Sequence, residues 1–159
     1  MFSSLSKRSN VPGMRSGFVA GDEKIIKKFL LYRTYHGCAM APPVQTASVA
    51  AWNDEAHVLD NRNQYREKFA ACTPLIGEVL GTGMPDASFY LWAKTPIADT
   101  EFARGLLEHY NVVVLPGSFL AREIRGVNPG ANFIRIALVA SLAECLEATQ
   151  RIRQFAQQL

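Results

Sequence analysis

The sequence contains little cysteine and no long apolar segment. Its three cysteines, Cys38, Cys72 and Cys145, lie far apart, and no two of them form a CxxC pair. Such an odd, sparse set argues against a disulfide framework and favours reduced thiols, as in a cytoplasmic protein. No stretch approaches the roughly 18 uncharged apolar residues that a membrane span requires. The N-terminus also lacks the apolar region of a secretory signal, so we expect a cytoplasmic location.

The sequence also lacks a strong charge of either sign. The net charge is +3, and the Lys and Arg residues are spread along the chain. A charge pattern this weak gives no reason to expect nucleic acid or a membrane surface as a partner. Hydrophobic residues make up 48% of the 159 residues, which is ordinary for a globular protein. The length suits one compact domain or the later part of a larger protein.

Local patterns in the first half predict two short strands followed by three helices. Residues 2–6 and 15–20 read as strands separated by a Pro- and Gly-containing loop. Asp22 is a suitable N-cap for a helix to Arg33, whose apolar residues recur at three- and four-residue spacing and should bury one face. A second helix is predicted from Pro42 to Trp52. A third, from about residue 55 to 80, would span about 38 Å and suits a connector between domains.

The second half alternates between predicted strands and helices. Strands are predicted at residues 88–93, 112–115 and 133–138, and a helix at 100–110. A final helix begins after Ser141, with Glu144 at the reciprocal position of a capping box. This alternation predicts a small α/β or α+β domain.

The run from Ser4 to Gly17 contains a chemically suggestive arrangement of residues. Ser4 and Ser6 precede Lys7, and Arg15 follows across a turn that contains Gly13. Serine hydroxyls and a planar guanidinium together form a good site for a phosphate dianion. A lysine beside that anion can reach an aldehyde of the same ligand and form a Schiff base. A lone lysine among serines is more often a solvated loop residue, so the ordering of the whole run carries the functional interpretation.

This run resembles the lysine signature of class I/II, fold type I, aminotransferases, which depend on pyridoxal phosphate. The signature has the form S-x-S-K followed by a short loop and G-x-R-x-G. The matching residues are Ser4, Ser6, Lys7, Gly13, Arg15 and Gly17. The resemblance implies that Lys7 is the catalytic lysine, which holds pyridoxal 5'-phosphate as a Schiff base and later transfers the substrate proton. It also implies that Ser4, Ser6 and Arg15 bind the cofactor phosphate.

A second arginine, Arg135, lies inside the apolar run Asn132–Leu138. By itself this pattern is typical of an edge-strand arginine that reaches to water. Alternatively, a buried arginine requires a partner, for which a carboxylate is best matched. The resemblance implies the second interpretation, because the family has an N-x-x-R pattern in a C-terminal strand that binds the substrate α-carboxylate.

The resemblance covers the chain as the C-terminal part of a longer enzyme. It implies an α/β fold in which residues 1–54 are the remnant of the cofactor-binding large domain and its sheet. Residues 55–159 would form the linker helix and the small C-terminal domain. In this family the residues that contact the cofactor ring precede the lysine, so we expect the isolated chain to bind cofactor weakly or not at all.

The stretch from Ser4 through Trp52 is most similar to the succinyldiaminopimelate aminotransferase subfamily of bacterial lysine biosynthesis. The implied substrates are N-succinyl-LL-2,6-diaminopimelate and 2-oxoglutarate, with a homodimer as the full-length assembly and no metal. Two alternatives stay open. One is a broader aspartate- or alanine-type aminotransferase, and the other is an inactive truncated fragment.

Overall fold

The computed structural model describes residues 1–37 and 39–159, so Cys38 lies outside the described residues. Helices and short antiparallel strands are mixed along the chain, which confirms the predicted class of fold. The strands are β1 Phe2–Ser4, β2 Gly17–Val19, β3 Tyr90–Lys94, β4 Leu115–Pro116 and β5 Phe133–Ala137. The helices are α1 Leu5–Arg8, α2 Glu23–Tyr35, α3 Pro42–Asn53, α4 Ala56–Leu80, α5 Asp99–Tyr110 and α6 Leu142–Ala156.

The chain divides into two compact units, Met1–Asn63 and Gln64–Leu159. The boundary falls inside α4, the 25-residue helix that the sequence predicts to within one residue at either end. The assignment of residues 1–54 to a large-domain remnant and 55–159 to a linker and small domain stays a prediction. Within the described residues, no helix is both long enough and apolar enough to cross a membrane.

The first unit contains a β-hairpin, the short helix α1, the helices α2 and α3, and the start of α4. Strands β1 and β2 pair antiparallel, with Ser4 opposite Gly17. Helix α2 begins as predicted, because the Asp22 carboxylate accepts hydrogen bonds from the backbone N–H groups of Lys24 and Ile25. The prediction that α2 buries one face is wrong. No residue of this helix is buried, and Ile25 and Leu30 are 68% and 65% exposed.

The second unit holds the larger core of apolar side chains. Its sheet has the order β3-β5-β4, and both pairings are antiparallel. The core includes buried side chains from α4, α5, α6 and the sheet, among them Ile76, Phe102, Ile134 and Ile152. Helix α6 begins with the predicted capping box between Ser141 and Glu144. Cys72 and Cys145 are free thiols buried in this core.

The strand predicted at residues 112–115 is mostly wrong, because the ladder contains only Leu115 and Pro116. Asn111 has a left-handed backbone that ends α5, and its N–H and that of Val112 both donate to the Leu106 carbonyl. The N–H groups of Asn111 and Val112 are therefore bonded to α5 and are not available to a longer strand.

Candidate functional site

Lys7 lies in α1, a single helical turn between the paired strands β1 and β2. Leu5, in the same turn, is fully buried, and its N–H donates to the Ser16 carbonyl at 3.1 Å. The Ser9 and Val11 N–H groups both donate to the Leu5 carbonyl, at 3.0 and 3.3 Å. Burial of Leu5 and these backbone bonds contribute to the position of the turn that carries Ser6 and Lys7.

Two adjoining cavities flank this turn. The first, of about 570 Å³, is lined by Ser4, Lys7 and Arg33 together with aromatic side chains of the hairpin and α2. The second, of about 610 Å³, is lined by Ser4, Ser6, Arg15 and Arg33 and by apolar residues near the start of α3. The structure therefore brings both serines and Arg15 to one cavity and Lys7 to the cavity beside it, with Ser4 common to both.

Arg15 has a constrained backbone just before β2. Its φ of 51° is in the left-handed region, which is uncommon for a residue with a side chain. Its Nη1 donates to the Pro12 carbonyl at 2.8 Å, which fixes the guanidinium against its own loop. A guanidinium has five N–H donors, so this single bond leaves capacity for two oxygens of an anion.

Arg33 is a candidate residue that the sequence interpretation missed. It is half-buried in the last turn of α2 and lines both cavities. Phe29, one helical turn earlier, lines the first cavity as well. The spacing of four residues between them places both on one face of α2. That spacing was available in the sequence, but a cation near a helix C-terminus is usually explained by the helix dipole.

The residues around these cavities fit a phosphate monoester that also carries an aldehyde. Hydroxyl and guanidinium donors are suited to the phosphate, and Lys7 is suited to the aldehyde. No Asp or Glu lines either cavity, and all the lining residues belong to the described part of the chain. A carboxylate that could keep a pyridine nitrogen protonated is therefore not among them.

Arg135 lies in the central strand of the second unit's sheet, opposite Trp92 on β3 and Leu115 on β4. The edge-strand interpretation of this arginine is therefore wrong. Its neighbours in the strand, Ile134 and Ile136, are buried in the core, so alternation places Arg135 on the opposite face of the sheet.

The environment of Arg135 is apolar and aromatic. Its guanidinium lies 5.4 Å from the centroid of the Tyr90 ring, and the Trp92 and Phe133 rings stack beside it with centroids 5.6 Å apart. The Arg135 Nε atom is buried and has no hydrogen-bond partner among the described residues. An unsatisfied buried donor of a cationic group favours an anion as its partner.

The turn at Gly117 and Ser118 follows β4 and lies close to the start of β5. A Cβ at Gly117 would lie 2.4 Å from the Gly130 carbonyl oxygen and 2.7 Å from that of Phe133. Ser118 donates from both its N–H and its hydroxyl to the buried Asp99 carboxylate, at 2.9 and 2.6 Å. These contacts give both residues a structural role in a tight turn.

Asp99 joins this turn to the strand that carries Arg135. Its second carboxylate oxygen accepts from the Asn132 N–H at 3.2 Å, immediately before β5. Burial raises the pKa of the Asp99 carboxyl, but the hydrogen bonds from Ser118 and Asn132 outweigh it and lower the pKa below its usual value. The carboxylate is therefore held in its charged form.

The chain resembles known aminotransferases over nearly its whole length. A family model described as aminotransferase class I and II matches residues 1–152. A probable aminotransferase of Mycobacterium tuberculosis is 35% identical over 94% of this chain and 34% of its own length. The crystal structure of an aminotransferase from Neisseria meningitidis is 57% identical, with a TM-score of 0.89 over 97% of this chain and 39% of that one.

A probable N-succinyldiaminopimelate aminotransferase from Thermus thermophilus is also similar. It is 33% identical and has a TM-score of 0.83 over 97% of this chain and 41% of that structure. The chain thus spans about two-fifths or less of the length of these relatives. The family model and the three relatives agree in family, and each matches more than nine-tenths of this chain.

Proposed function

Because the chain belongs to the class I and II aminotransferase family, whose members depend on pyridoxal phosphate, we propose that its protein transfers an amino group from an amino acid to a 2-oxo acid. The observation that carries the proposal is the shared lining of one cavity by Ser4, Ser6 and Arg15, with Lys7 in the adjoining cavity. The chain matches about two-fifths of the length of fold type I aminotransferases, and we propose that it corresponds to their C-terminal part. The whole enzyme would include residues beyond those of this chain.

Lys7 is the proposed catalytic residue. Its amine would bind the cofactor aldehyde and, once released, would accept the substrate α-proton on Nζ and return it. When bound, pyridoxal phosphate supplies an electron-withdrawing ring that stabilises negative charge at the substrate α-carbon. Ser4, Ser6 and Arg15 would hold the phosphate, and Arg33 is a further candidate because it lines the same cavity.

Arg135 is the proposed residue for the substrate α-carboxylate. Its buried, unpartnered Nε and its aromatic surroundings support this role, because a carboxylate accepts paired N–H bonds from a guanidinium. Binding the carboxylate fixes the orientation of the substrate and so contributes to the rate through positioning.

For the substrates we propose N-succinyl-LL-2,6-diaminopimelate and 2-oxoglutarate. Support comes from the similarity of residues 4–52 to that subfamily and from the Thermus thermophilus relative. We further propose a homodimer and a cytoplasmic location for the full-length protein. The two buried free thiols in the described residues suit a reducing compartment.

The assignment of Lys7 is tested by reductive labelling. Full-length protein is mixed with pyridoxal phosphate and reduced with borohydride, and the labelled peptide is mapped by mass spectrometry. We expect a single label on Lys7, and none there in a Lys7→Ala variant. Lys24 and Lys28, on the exposed surface of α2, serve as internal controls. Labelling spread over such surface lysines, with Lys7 unmodified, would exclude the assignment.

The substrate proposal is tested separately with a panel of amino donors. We expect the highest kcat/KM with N-succinyl-LL-2,6-diaminopimelate, and lower values with aspartate, alanine and unsubstituted diaminopimelate. A preference for aspartate or alanine would instead favour the broader aminotransferase alternative, while leaving Lys7 as the catalytic residue.

A further inference from the structure

The hairpin that carries Lys7 is attached to one face of α3. The Ser48 hydroxyl donates to the Val44 carbonyl in its own helix and is hydrogen-bonded to the buried Ser16 hydroxyl at 2.7 Å. The Trp52 ring packs edge-on against Phe18 with centroids 5.1 Å apart. Ser48 and Trp52 are four residues apart and share a face of the helix. Strand β2 and the residue before it are therefore held to α3 by two independent contacts.

Arg8, the residue after Lys7, attaches the lysine turn itself to the end of α3. Its Nη1 donates to the Ala51 carbonyl at 2.8 Å, and its Nη2 forms an ion pair with Glu55. Its guanidinium also lies 4.9 Å from the centroid of the Trp52 ring. The Arg8 side chain is only 14% exposed. The carbonyl, the carboxylate and the aromatic ring together hold the guanidinium in one position and compensate its charge.

Ser9 makes a second attachment, to the start of α4. The Ser9 hydroxyl lies 2.8 Å from Nε2 of His57, and Nδ1 of His57 lies 2.9 Å from the Asp54 carboxylate. The hydrogen bond from His57 lowers the pKa of Asp54 below its usual value. Serine, histidine and aspartate in this order also occur in hydrolases, but Ser9 lines neither of the two cavities. The geometry therefore favours attachment of the turn over nucleophilic chemistry.

We propose that Arg8, Ser9 and His57 are positioning residues that hold the lysine turn for its reaction with pyridoxal phosphate. This inference rests on the proposed role of Lys7. A helix of four residues is not stable in isolation, because nucleation fixes several residues for one hydrogen bond. The side chains of Arg8 and Ser9 contact residues 51–57, on both sides of the α3–α4 junction. These contacts supply stabilisation that the helical hydrogen bonds of so short a turn do not.

The test uses the full-length protein and two measurements. The first is hydrogen exchange of the Val11 amide without cofactor, since that N–H donates to the Leu5 carbonyl only while the turn is intact. The second is the rate at which pyridoxal phosphate and borohydride label Lys7. The variants are Arg8→Ala, Arg8→Lys and Ser9→Ala. Arg62→Ala, at an exposed position on α4, is the matched control.

Arg8→Ala should raise the exchange rate of the Val11 amide about tenfold or more, and lower the Lys7 labelling rate about tenfold. Arg8→Lys should give exchange and labelling rates between those of Arg8→Ala and the wild type. Ser9→Ala should change the exchange rate and the labelling rate about threefold. Arg62→Ala should change neither rate. The urea midpoint for unfolding of residues 64–159 should be the same in all variants. Unchanged exchange and labelling in Arg8→Ala, or changes that only follow a lower unfolding midpoint, would overturn the inference.

The two proposals fail in different ways. If wild-type Lys7 is not labelled at all, the proposed function is wrong, whatever the exchange rates show. If wild-type Lys7 is labelled and the Arg8 and Ser9 variants are labelled at the wild-type rate, the function stands and the positioning role is wrong.

Discussion

Arg135 combines a charged group with apolar surroundings in the centre of a sheet. The Nε atom without a partner and the Tyr90 ring beneath the guanidinium make the side chain costly unless an anion binds it. Lysine cannot reproduce the planar fork of donors, because an ammonium is a compact point charge. The chemistry proposed for Arg135 therefore depends on its guanidinium as well as on its charge.

For full-length enzyme, Arg135→Lys should raise KM for the amino donor about 100-fold with a smaller change in kcat, because a paired, charge-assisted contact is lost. Steady-state kinetics with the preferred donor provide the measurement. Arg122→Ala, an exposed arginine of the same unit, is the control and should leave KM unchanged. Wild-type KM in the Arg135 variant would contradict the carboxylate role.

Asp99 gives a prediction about stability and its pH dependence. Asp99→Ala leaves the Ser118 and Asn132 donors unpaired, so it should lower the free energy of unfolding by about 3 kcal/mol. The folded-state pKa is lowered, so the contribution is present above the unfolded pKa of about 3.9 and lost as pH falls below it.

Urea unfolding is monitored by hydrogen exchange of the β5 amides. It measures the difference in free energy of unfolding between the wild-type protein and the Asp99→Ala variant. The difference should be constant near pH 7 and shrink below about pH 4, where the unfolded carboxyl is protonated. A difference that instead grew as the pH fell would contradict the direction of the pKa shift.

At the level of elements, the sheet of the second unit depends on close backbone approach at the turn after β4. A Cβ at Gly117 would meet backbone oxygens of Gly130 and Phe133, which cannot move as a flexible side chain would. Gly117 and Gly130 thus fix how the turn meets the strand that carries Arg135. The close packing of backbone oxygens around Gly117 explains why this position requires glycine.

Gly117→Ala should therefore destabilise the second unit by about 2 kcal/mol or more, as overpacking does in a well-packed region. Gly83→Ala is the matched control, because a Cβ there would meet nothing within 4 Å. Urea unfolding of the two full-length variants compares them directly. Equal stabilities would contradict the close approach.

At the scale of the whole molecule, the two units differ in how much apolar surface they bury. The fully apolar core of the described residues lies in the second unit, whereas Leu5 and Val58 are the main buried apolar residues described in the first. The first unit leaves Phe2, Ile25 and Leu31 more than 60% exposed. An exposed apolar surface of this kind suits a contact with further polypeptide.

The isolated 159-residue chain should therefore bind pyridoxal phosphate much more weakly than full-length protein. The described residues that line its cavities include donors for the phosphate and a lysine, but no carboxylate for the pyridine nitrogen. The measurement is the extent of borohydride labelling at Lys7 at equal cofactor concentration, which we expect to be at least tenfold lower in the isolated chain. Equal labelling would show that this chain holds a sufficient site.

The sequence by itself determined the family and most of the helices. The ordering of Ser4, Ser6, Lys7 and Arg15 indicated the family, and local signals such as Asp22 and the Ser141–Glu144 pair predicted where helices begin. These features are readable because capping and short motifs act between residues that are near in sequence.

Only the tertiary structure decided which residues come together from a distance. Arg33 reaches the serine cavity, Asp99 accepts from the start of β5, and Arg8 contacts Trp52 some 40 residues later. The tertiary structure also places Arg135 in a central strand and leaves the apolar residues of α2 exposed. Sequence periodicity shows that a face is apolar, but the partner that covers it is set by contacts that no local pattern encodes.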